Sequence, residues 1–107
     1  MGLTKTQIFT GEQNRLASIF RVLANPARIA ILQYLGSQTG CICNDLVEEI
    51  GLAQPTISQH LKELKQIGLI SGEIEGKKIC YCIDHEKWTE LQHYMNLFFK
   101  DIQHNCC

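Results

Sequence analysis

Six cysteines are the residues of this chain with the most distinctive chemistry, and they fall in three close pairs. The pairs are Cys41 and Cys43, Cys80 and Cys82, and the adjacent Cys106 and Cys107. Closely spaced thiolates can bind a soft metal or metalloid ion, and neighbouring thiols can also be oxidised to a disulfide. In a cytosolic protein such pairs favour ion binding or redox sensing over a structural disulfide framework.

The composition is that of an ordinary globular protein. The chain has 107 residues, of which 45% are hydrophobic and 20% charged, and these values predict a single domain over residues 1–107. The formal net charge is −1, so bulk charge does not indicate a nucleic-acid binder. Any DNA binding must use a local basic surface, repeated by the two-fold symmetry of a dimer.

The sequence shows neither a membrane span nor a secretion signal. Its apolar runs are shorter than the roughly 20 residues that span a bilayer. Residues 1–6 lack the apolar stretch of a secretory signal. We therefore expect a cytoplasmic protein without a membrane partner.

Apolar residues at helical spacing predict helices over residues 12–23, 26–36, 45–50, 55–67 and 85–104. Asn25 and Asn44 are expected to cap helix starts, and Gly51 and Gly68 are expected to end helices. Only a few residues separate the third helix from the fourth. This connection is typical of a helix-turn-helix, which would cover about 44–67.

A two-residue periodicity follows Gly68 and predicts a hairpin wing over about 69–83, with its turn at Gly76. The last helix, over about 85–104, is expected to serve dimerisation. The order of elements predicts an α+β, mainly helical protein: a winged helix-turn-helix with a β-hairpin wing and terminal dimerisation helices. A helix-turn-helix followed at once by a wing is far more specific than either part alone.

The fourth helix has an apolar face and polar surfaces that suit DNA recognition. Ile57, Leu61 and Leu64 share the apolar face and are expected to anchor the helix in the core. Hydroxyl, amide, imidazole and amine groups on the other faces can hydrogen-bond to base edges and phosphates in a major groove. These candidate DNA contacts are Gln54, Thr56, Ser58, Gln59, His60 and Lys62. Lys77 and Lys78 at the wing tip are candidate contacts to the DNA backbone.

Three stretches of the sequence resemble the ArsR/SmtB family of metal-responsive repressors. They are RVLANPARIAILQYL, CICNDLVEEIGLAQPTISQHLKELKQIGLI and the wing segment GKKICYCI. The match covers roughly residues 15–83, and QPTISQHLKEL is its most specific part. The resemblance implies a homodimer that binds double-stranded operator DNA and releases it when an inducer binds. It also implies that Gln54, Thr56, Ser58 and His60 lie where the family reads DNA.

Strand alternation turns the first two cysteine pairs outward. Residues i and i+2 of a strand share a face, and the residue between them points to the opposite face. Burial of Ile42 therefore exposes Cys41 and Cys43, and burial of Tyr81 exposes Cys80 and Cys82. The resemblance implies that the segment around Ile42 pairs with the second wing strand, which would gather four thiols on one sheet face. This candidate metal site consists of Cys41, Cys43, Cys80 and Cys82. Cys106 and Cys107 are possible additional thiols.

The segment from Cys41 to Cys43 also resembles the CxCxxC arsenic motif of some family members, with two departures. Val47 stands at the place of the third cysteine, and one extra residue precedes Asp45. A three-thiolate site for arsenite or antimonite would therefore need a third ligand from the wing strand or the tail. The inducer stays open at this point between arsenite or antimonite, another thiophilic ion, and an oxidant or persulfide.

The last helix carries apolar residues at alternating spacings of three and four, which is the pattern of a helix seam. Together with the first helix it is expected to form the dimer interface. The expected interface residues are Leu16, Ile19, Phe20, Trp88, Leu91, Met95, Phe98 and Ile102. Members of the family that the chain resembles can also carry a zinc site on this helix. The candidates Asp84, His85, His93 and His104 do not match its spacing.

Two functions of other classes compete with a repressor. A thiol oxidoreductase is disfavoured because Cys-x-Cys differs from Cys-x-x-Cys and no thioredoxin-like βαβ pattern surrounds it. A winged helix used only as a protein-interaction module is disfavoured by the hydroxyl-rich polar surface of the fourth helix. No phosphate-binding loop, carboxylate pair or serine–histidine arrangement stands out. We therefore expect no enzyme activity and no cofactor that folding requires.

Overall fold

The computed structural model describes residues 8–42, 46–73 and 80–103. Within these ranges the elements follow in the predicted order: α1 (Gly11–Leu23), α2 (Pro26–Gly36), α3 (Leu46–Ile50), α4 (Gln54–Gln66), β1 (Ile70–Glu73), β2 (Cys80–Ile83) and α5 (His85–Gln103). The predicted fold class is confirmed, since the chain is mainly helical with an antiparallel hairpin after its helix-turn-helix. The expected cap Asn44 and the turn residue Gly76 lie outside the described residues. No described helix is long and apolar enough to cross a lipid bilayer.

A side-chain cap and two glycines set the helix ends as predicted. The Asn25 side-chain oxygen accepts hydrogen bonds from the backbone N–H groups of Ala27 at 2.9 Å and Arg28 at 3.3 Å, at the start of α2. Gly51 and Gly68 have φ angles of +83° and +86°, shortly after the ends of α3 and α4. Glycine adopts this left-handed conformation without the steric cost that other residues meet, and so it ends helices readily.

The core forms where α2 and α4 pack against the hairpin. Ile57, Leu61 and Leu64, the predicted anchoring face of α4, are almost fully buried. They belong to one apolar cluster with residues of α2 and β2, such as Ile31 and Tyr81. Because the faces of a helix follow from its 3.6-residue period, burial of this face determines which side chains of α4 point to solvent.

Tyr81 joins three segments of backbone. In the antiparallel wing, Gly72 lies opposite Tyr81 and Ser71 lies opposite Cys82. On its other side Tyr81 forms an antiparallel bridge with Ile42, in which the N–H of each residue donates to the carbonyl of the other at 2.8 and 3.0 Å. The side chains of Ile42 and Tyr81 are both buried. The segment before α3 therefore lies beside the second wing strand, as the family resemblance implied.

α5 packs along α1 mainly through aromatic contacts. The rings of Phe20 and Phe98 lie 6.0 Å apart in a tilted arrangement. The Tyr94 hydroxyl donates to the backbone carbonyl of Glu12 at 3.2 Å, and the Arg15 guanidinium lies over the Tyr94 ring at 5.2 Å from its centre. Although α5 has 19 residues, none of them is buried in the described part of the chain.

Gly72 is required by the geometry of the wing. Its φ is +117°, and a Cβ atom here would collide with the carbonyl oxygen of Cys80 and lie 2.9 Å from the Cα of Tyr81. We expect Gly72→Ala to lower the free energy of unfolding by about 3 kcal/mol. Gly40→Ala is the matched control, since Gly40 has a φ of +80° but open space around a Cβ, and it should cost only about 1 kcal/mol. Equal losses of the two variants in urea denaturation would contradict this account.

Candidate nucleic-acid interface and thiol site

α4 presents the predicted DNA contacts on the faces that its buried anchors leave outside. Ser58 and His60 are half-buried. The other predicted contacts on this helix are exposed: Gln54, Thr56, Gln59 and Lys62. The first turn of α4 carries no acidic residue. No carboxylate of this turn would therefore repel an anionic ligand that approaches this end of the helix.

A side-chain hydrogen bond organises the first turn of α4. Gln54 donates from Nε2 to the Ser58 hydroxyl oxygen at 3.1 Å, one turn further along the helix. The Ser58 hydroxyl keeps its own hydrogen, which it can donate to another acceptor. Ala53 at the N-cap position makes no side-chain bond to the helix start. The first N–H groups of a helix lack partners within it, so those at this end can bond to an external acceptor.

His60 differs from the other predicted contacts because one of its ring nitrogens is bonded within the protein. Arg28 on α2 donates from Nε to His60 Nδ1 at 3.0 Å, and from Nη1 to the backbone carbonyl of Val22 at 3.2 Å. Partial burial, and then the positive charge of Arg28, lower the pKa of His60 below its ordinary value. Arg28 was not predicted as a site residue, because 32 positions separate it from His60 and no local pattern connects them.

A further contact joins α4 to the wing. Lys65, in the last turn of α4, donates from Nζ to the backbone carbonyl of Gly72 on β1 at 2.6 Å. The N–H of Leu69 donates to the carbonyl of Leu64 at 3.1 Å and closes the turn between the two elements. These bonds hold α4 and β1 in one relative orientation. The predicted wing-tip contacts Lys77 and Lys78 lie outside the described residues.

Two predicted metal ligands, Cys41 and Cys82, lie side by side as free thiols. The bridge between Ile42 and Tyr81 puts them opposite each other on antiparallel segments, where Cα atoms are about 4.5–5.5 Å apart. The hydrogen bond between the two thiols is the main cause that raises the pKa of Cys41. On the other side of Cys82, the Ser71 hydroxyl oxygen lies 3.8 Å from its sulfur. We call Cys41, Cys82 and Ser71 the thiol row.

Of the remaining predicted thiols, only Cys80 lies within the described residues. Cys80 is half-buried and disulfide-bonded, so it offers no thiolate in this state of the protein. Cys43, Cys106 and Cys107 lie outside the described residues. Within the described ranges, no group of three or more histidine, cysteine or acidic side chains is placed to hold a metal ion. Of the four predicted ligands, the described residues therefore present two as neighbouring free thiols, Cys41 and Cys82.

The predicted dimer residues divide into three groups by their exposure. Leu16 and Ile19 are only 6% and 8% exposed within a single chain. Neighbouring elements of the same chain cover them, so they leave little surface for a second chain. Ile102 is 64% exposed. The others are half-buried: Phe20, Trp88, Leu91, Met95 and Phe98.

An apolar groove along α5 extends beyond the predicted seam. Phe99 is 54% exposed and lines this groove together with Leu23, Trp88 and Met95. Past Leu23 and Trp88, a second apolar depression continues to Ile29 on α2. Phe99 was not predicted as an interface residue, although its spacing of four from Met95 puts it on the same helix face.

Known proteins resemble this chain in sequence. The sequence model of the family described as "Bacterial regulatory protein, arsR family" matches residues 25–71. The HTH-type transcriptional repressor SmtB of Mycobacterium tuberculosis is 41% identical over 68 residues, which are 63% of this chain and 50% of that protein. The arsenical resistance operon repressor of Staphylococcus xylosus is 38% identical over 71 residues, which are 66% of this chain and 67% of that protein. The chain thus spans half the length of the first of these relatives.

The fold is also similar to that of solved structures. The crystal structure of an ArsR family transcriptional regulator matches with a TM-score of 0.69 at 23% identity. The match covers 88% of this chain and 96% of that one. The similarity therefore extends over both the helix-turn-helix and the helices around it.

Proposed function

This chain belongs to the ArsR family of bacterial regulatory proteins, and on that premise we propose that it is a DNA-binding transcriptional repressor. The family consists of transcriptional regulators rather than enzymes. One observation carries the proposal: the apolar face of α4 is buried in the core while a polar surface, free of carboxylates in its first turn, stays outside. Such a surface suits the major groove of double-stranded DNA.

In this proposal the two ends of α4 have different tasks. Thr56, Ser58 and Gln59 reach base edges, because the first turns of such a helix enter the groove. Lys62 neutralises a phosphate, as would Lys77 at the wing tip. Phosphate contacts of this kind make operator affinity fall with rising salt concentration. Local contacts must supply the affinity, since the net charge of the whole chain is −1.

We further propose that the repressor is a homodimer, because one copy of the chain leaves apolar surface along α5 uncovered. The groove of Trp88, Met95 and Phe99 continues the line of the helix toward the 64%-exposed Ile102. Contiguous exposed apolar surface is typical of a protein interface. A two-fold dimer would present two α4 helices to half-sites about 34–36 Å apart and so double the local contacts.

For the inducer we propose a thiophilic ion, with arsenite or antimonite as the first candidates. The Staphylococcus xylosus relative is named as the repressor of an arsenical resistance operon. Here Cys41 and Cys82 supply two neighbouring sulfurs, and Cys43 is the predicted source of a third. An ion held between them would change the spacing of the two segments that the bridge between Ile42 and Tyr81 already holds side by side. This change lowers operator affinity if the ion binds the DNA-free geometry more tightly, by a coupling of about 1–3 kcal/mol.

A second candidate inducer is an oxidant, and the disulfide at Cys80 favours it. Cys80 forms this disulfide on the same wing strand that carries Cys82. Cys41 and Cys82 are opposite each other at a separation that a disulfide can bridge. Hydrogen peroxide would take two electrons and two protons from these thiols, which leaves one disulfide and two water molecules. Both candidates require thiolate, so the raised pKa of Cys41 predicts a weaker response as pH falls.

Substitution of α4 tests the DNA-binding proposal. The double variant Ser58→Ala, Gln59→Ala should lose about 1–3 kcal/mol of operator binding free energy, because two polar groups facing the groove are removed while the core anchors remain. Fluorescence anisotropy with the promoter DNA of its own operon measures the loss. Gln66→Ala, at the exposed far end of α4, is the matched control. Unchanged affinity of the double variant, at an unchanged melting temperature, would refute this placement.

Substitution of α5 tests the dimer. Phe99→Glu puts a charge into the proposed interface and should give monomers in analytical ultracentrifugation at micromolar concentration. Phe98→Glu is less informative, because Phe98 packs against Phe20 within the chain. Lys100→Glu changes the charge at the adjacent exposed position and should leave the dimer intact. A wild-type chain that sediments as a monomer would contradict the proposal.

Paired cysteine substitutions test the inducer. Two double variants are compared for DNA release by arsenite and by peroxide. One combines Cys41→Ser with Cys43→Ser, and the other combines Cys80→Ser with Cys82→Ser. If the ion or the disulfide joins the two segments, each double variant should lose most of the release. If only the first pair matters, the site is local to the start of α3. If both variants keep full release, neither pair is the sensor and the tail at 106–107 becomes the candidate.

A further inference from the structure

One guanidinium, that of Arg28, connects three helices of the described chain. Arg28 lies in the first turn of α2, and its own N–H is capped by Asn25. Its side chain is half-buried and donates both to His60 on α4 and to the carbonyl of Val22 near the end of α1. Val22 is itself fully buried. The cap at its backbone N–H and the bond to the Val22 carbonyl therefore fix the position of Arg28 beside the His60 ring.

The chemistry of this contact determines where His60 carries its hydrogen. An arginine in a protein stays protonated, and its Nε–H acts only as a donor. His60 Nδ1, at 3.0 Å from it, must therefore be the acceptor and cannot carry hydrogen. A neutral imidazole carries its single hydrogen on the other nitrogen, so Nε2 of His60 is an N–H donor.

Arg28 is the charged group that acts on this ring. Protonation of Nδ1 would break the hydrogen bond and place two cations together, in agreement with the lowered pKa of His60. The elements packed against α4 also include α3 and β1. Their carboxylates at Glu48, Glu49 and Glu73 are exposed, and Glu63 lies one turn along α4 itself. None of these carboxylates is a cause of the lowered pKa.

We propose that Arg28 is a positioning residue for DNA recognition, which holds His60 in the neutral Nε2–H form so that α4 presents a single ring donor. Such a donor bonds to a phosphate oxygen or to N7 or O6 of a purine, and it is mismatched against the amino groups of cytosine and adenine. The inference rests on the proposed DNA binding by α4. Arg28 would not contact DNA itself, but it would affect which hydrogen-bond acceptors on the DNA His60 can bind.

The free protein tests the first half of this proposal without any DNA. Two-bond ¹H–¹⁵N correlation spectra of the reduced, ¹⁵N-labelled full chain report which imidazole nitrogen carries hydrogen. We expect an unprotonated Nδ1 and a protonated Nε2 for His60 in the wild type. In Arg28→Met both forms should be populated, and the pKa of His60 should rise because the neighbouring charge is gone. A hydrogen on Nδ1 in the wild type, or an unchanged tautomer in the variant, would overturn the proposal.

Operator binding tests the second half. Arg28→Met should bind the operator about tenfold more weakly, in the range that follows the loss of one oriented hydrogen bond. Its affinity should also begin to depend on pH at a higher pH than in the wild type, a shift that a merely structural role would not produce. Arg21→Met, an exposed arginine on α1, is the control. Equal affinities and equal pH profiles of the two variants would overturn the positioning role. A wild-type protein that does not bind its operator would instead refute the proposed function.

Discussion

The antiparallel bridge between Ile42 and Tyr81 is the constraint on which the arrangement of this protein depends. Its two backbone hydrogen bonds join the segment before α3 to the wing strand, and its two buried side chains commit both segments to the core. Because side chains alternate along a strand, burial of these residues turns Cys41 and Cys82 toward the outer face. One backbone pairing therefore positions the helix-turn-helix against the wing and assembles the thiol pair.

Much of the fold could be predicted because each element buries one face, and a buried face leaves a periodic pattern in the sequence. The order of helices and strands and the outward position of Ser58 and Gln59 all follow from such patterns. A capping box formed by Thr10 and Gln13 at the start of α1 was missed, although its spacing of three residues was a readable signal.

Other features could not be predicted because nothing local in the sequence encodes them. The contact between Arg28 and His60 joins helices that are distant along the chain and requires the tertiary fold to exist first. Cysteine spacing does not determine oxidation state, so the sequence left open whether Cys80 binds an ion or forms the disulfide that the structure contains. The seam pattern of α5 also does not distinguish contacts within a chain from contacts between chains. Phe98 packs on α1 of its own chain while the next residue, Phe99, faces outward.

No residue of α5, a fully described helix, is buried. This has a consequence for how the stability of the protein depends on its concentration. An isolated helix of this length is marginally stable in water and gains most of its stability from packing. α5 packs on its own chain only through half-buried residues, so in the proposed dimer a second chain adds to its stability, and this gain rises with protomer concentration. Freshly made or highly diluted chains would then be the most open to proteolysis at this end. The concentration of the chain would then set not only how much operator is occupied but also how long each chain survives.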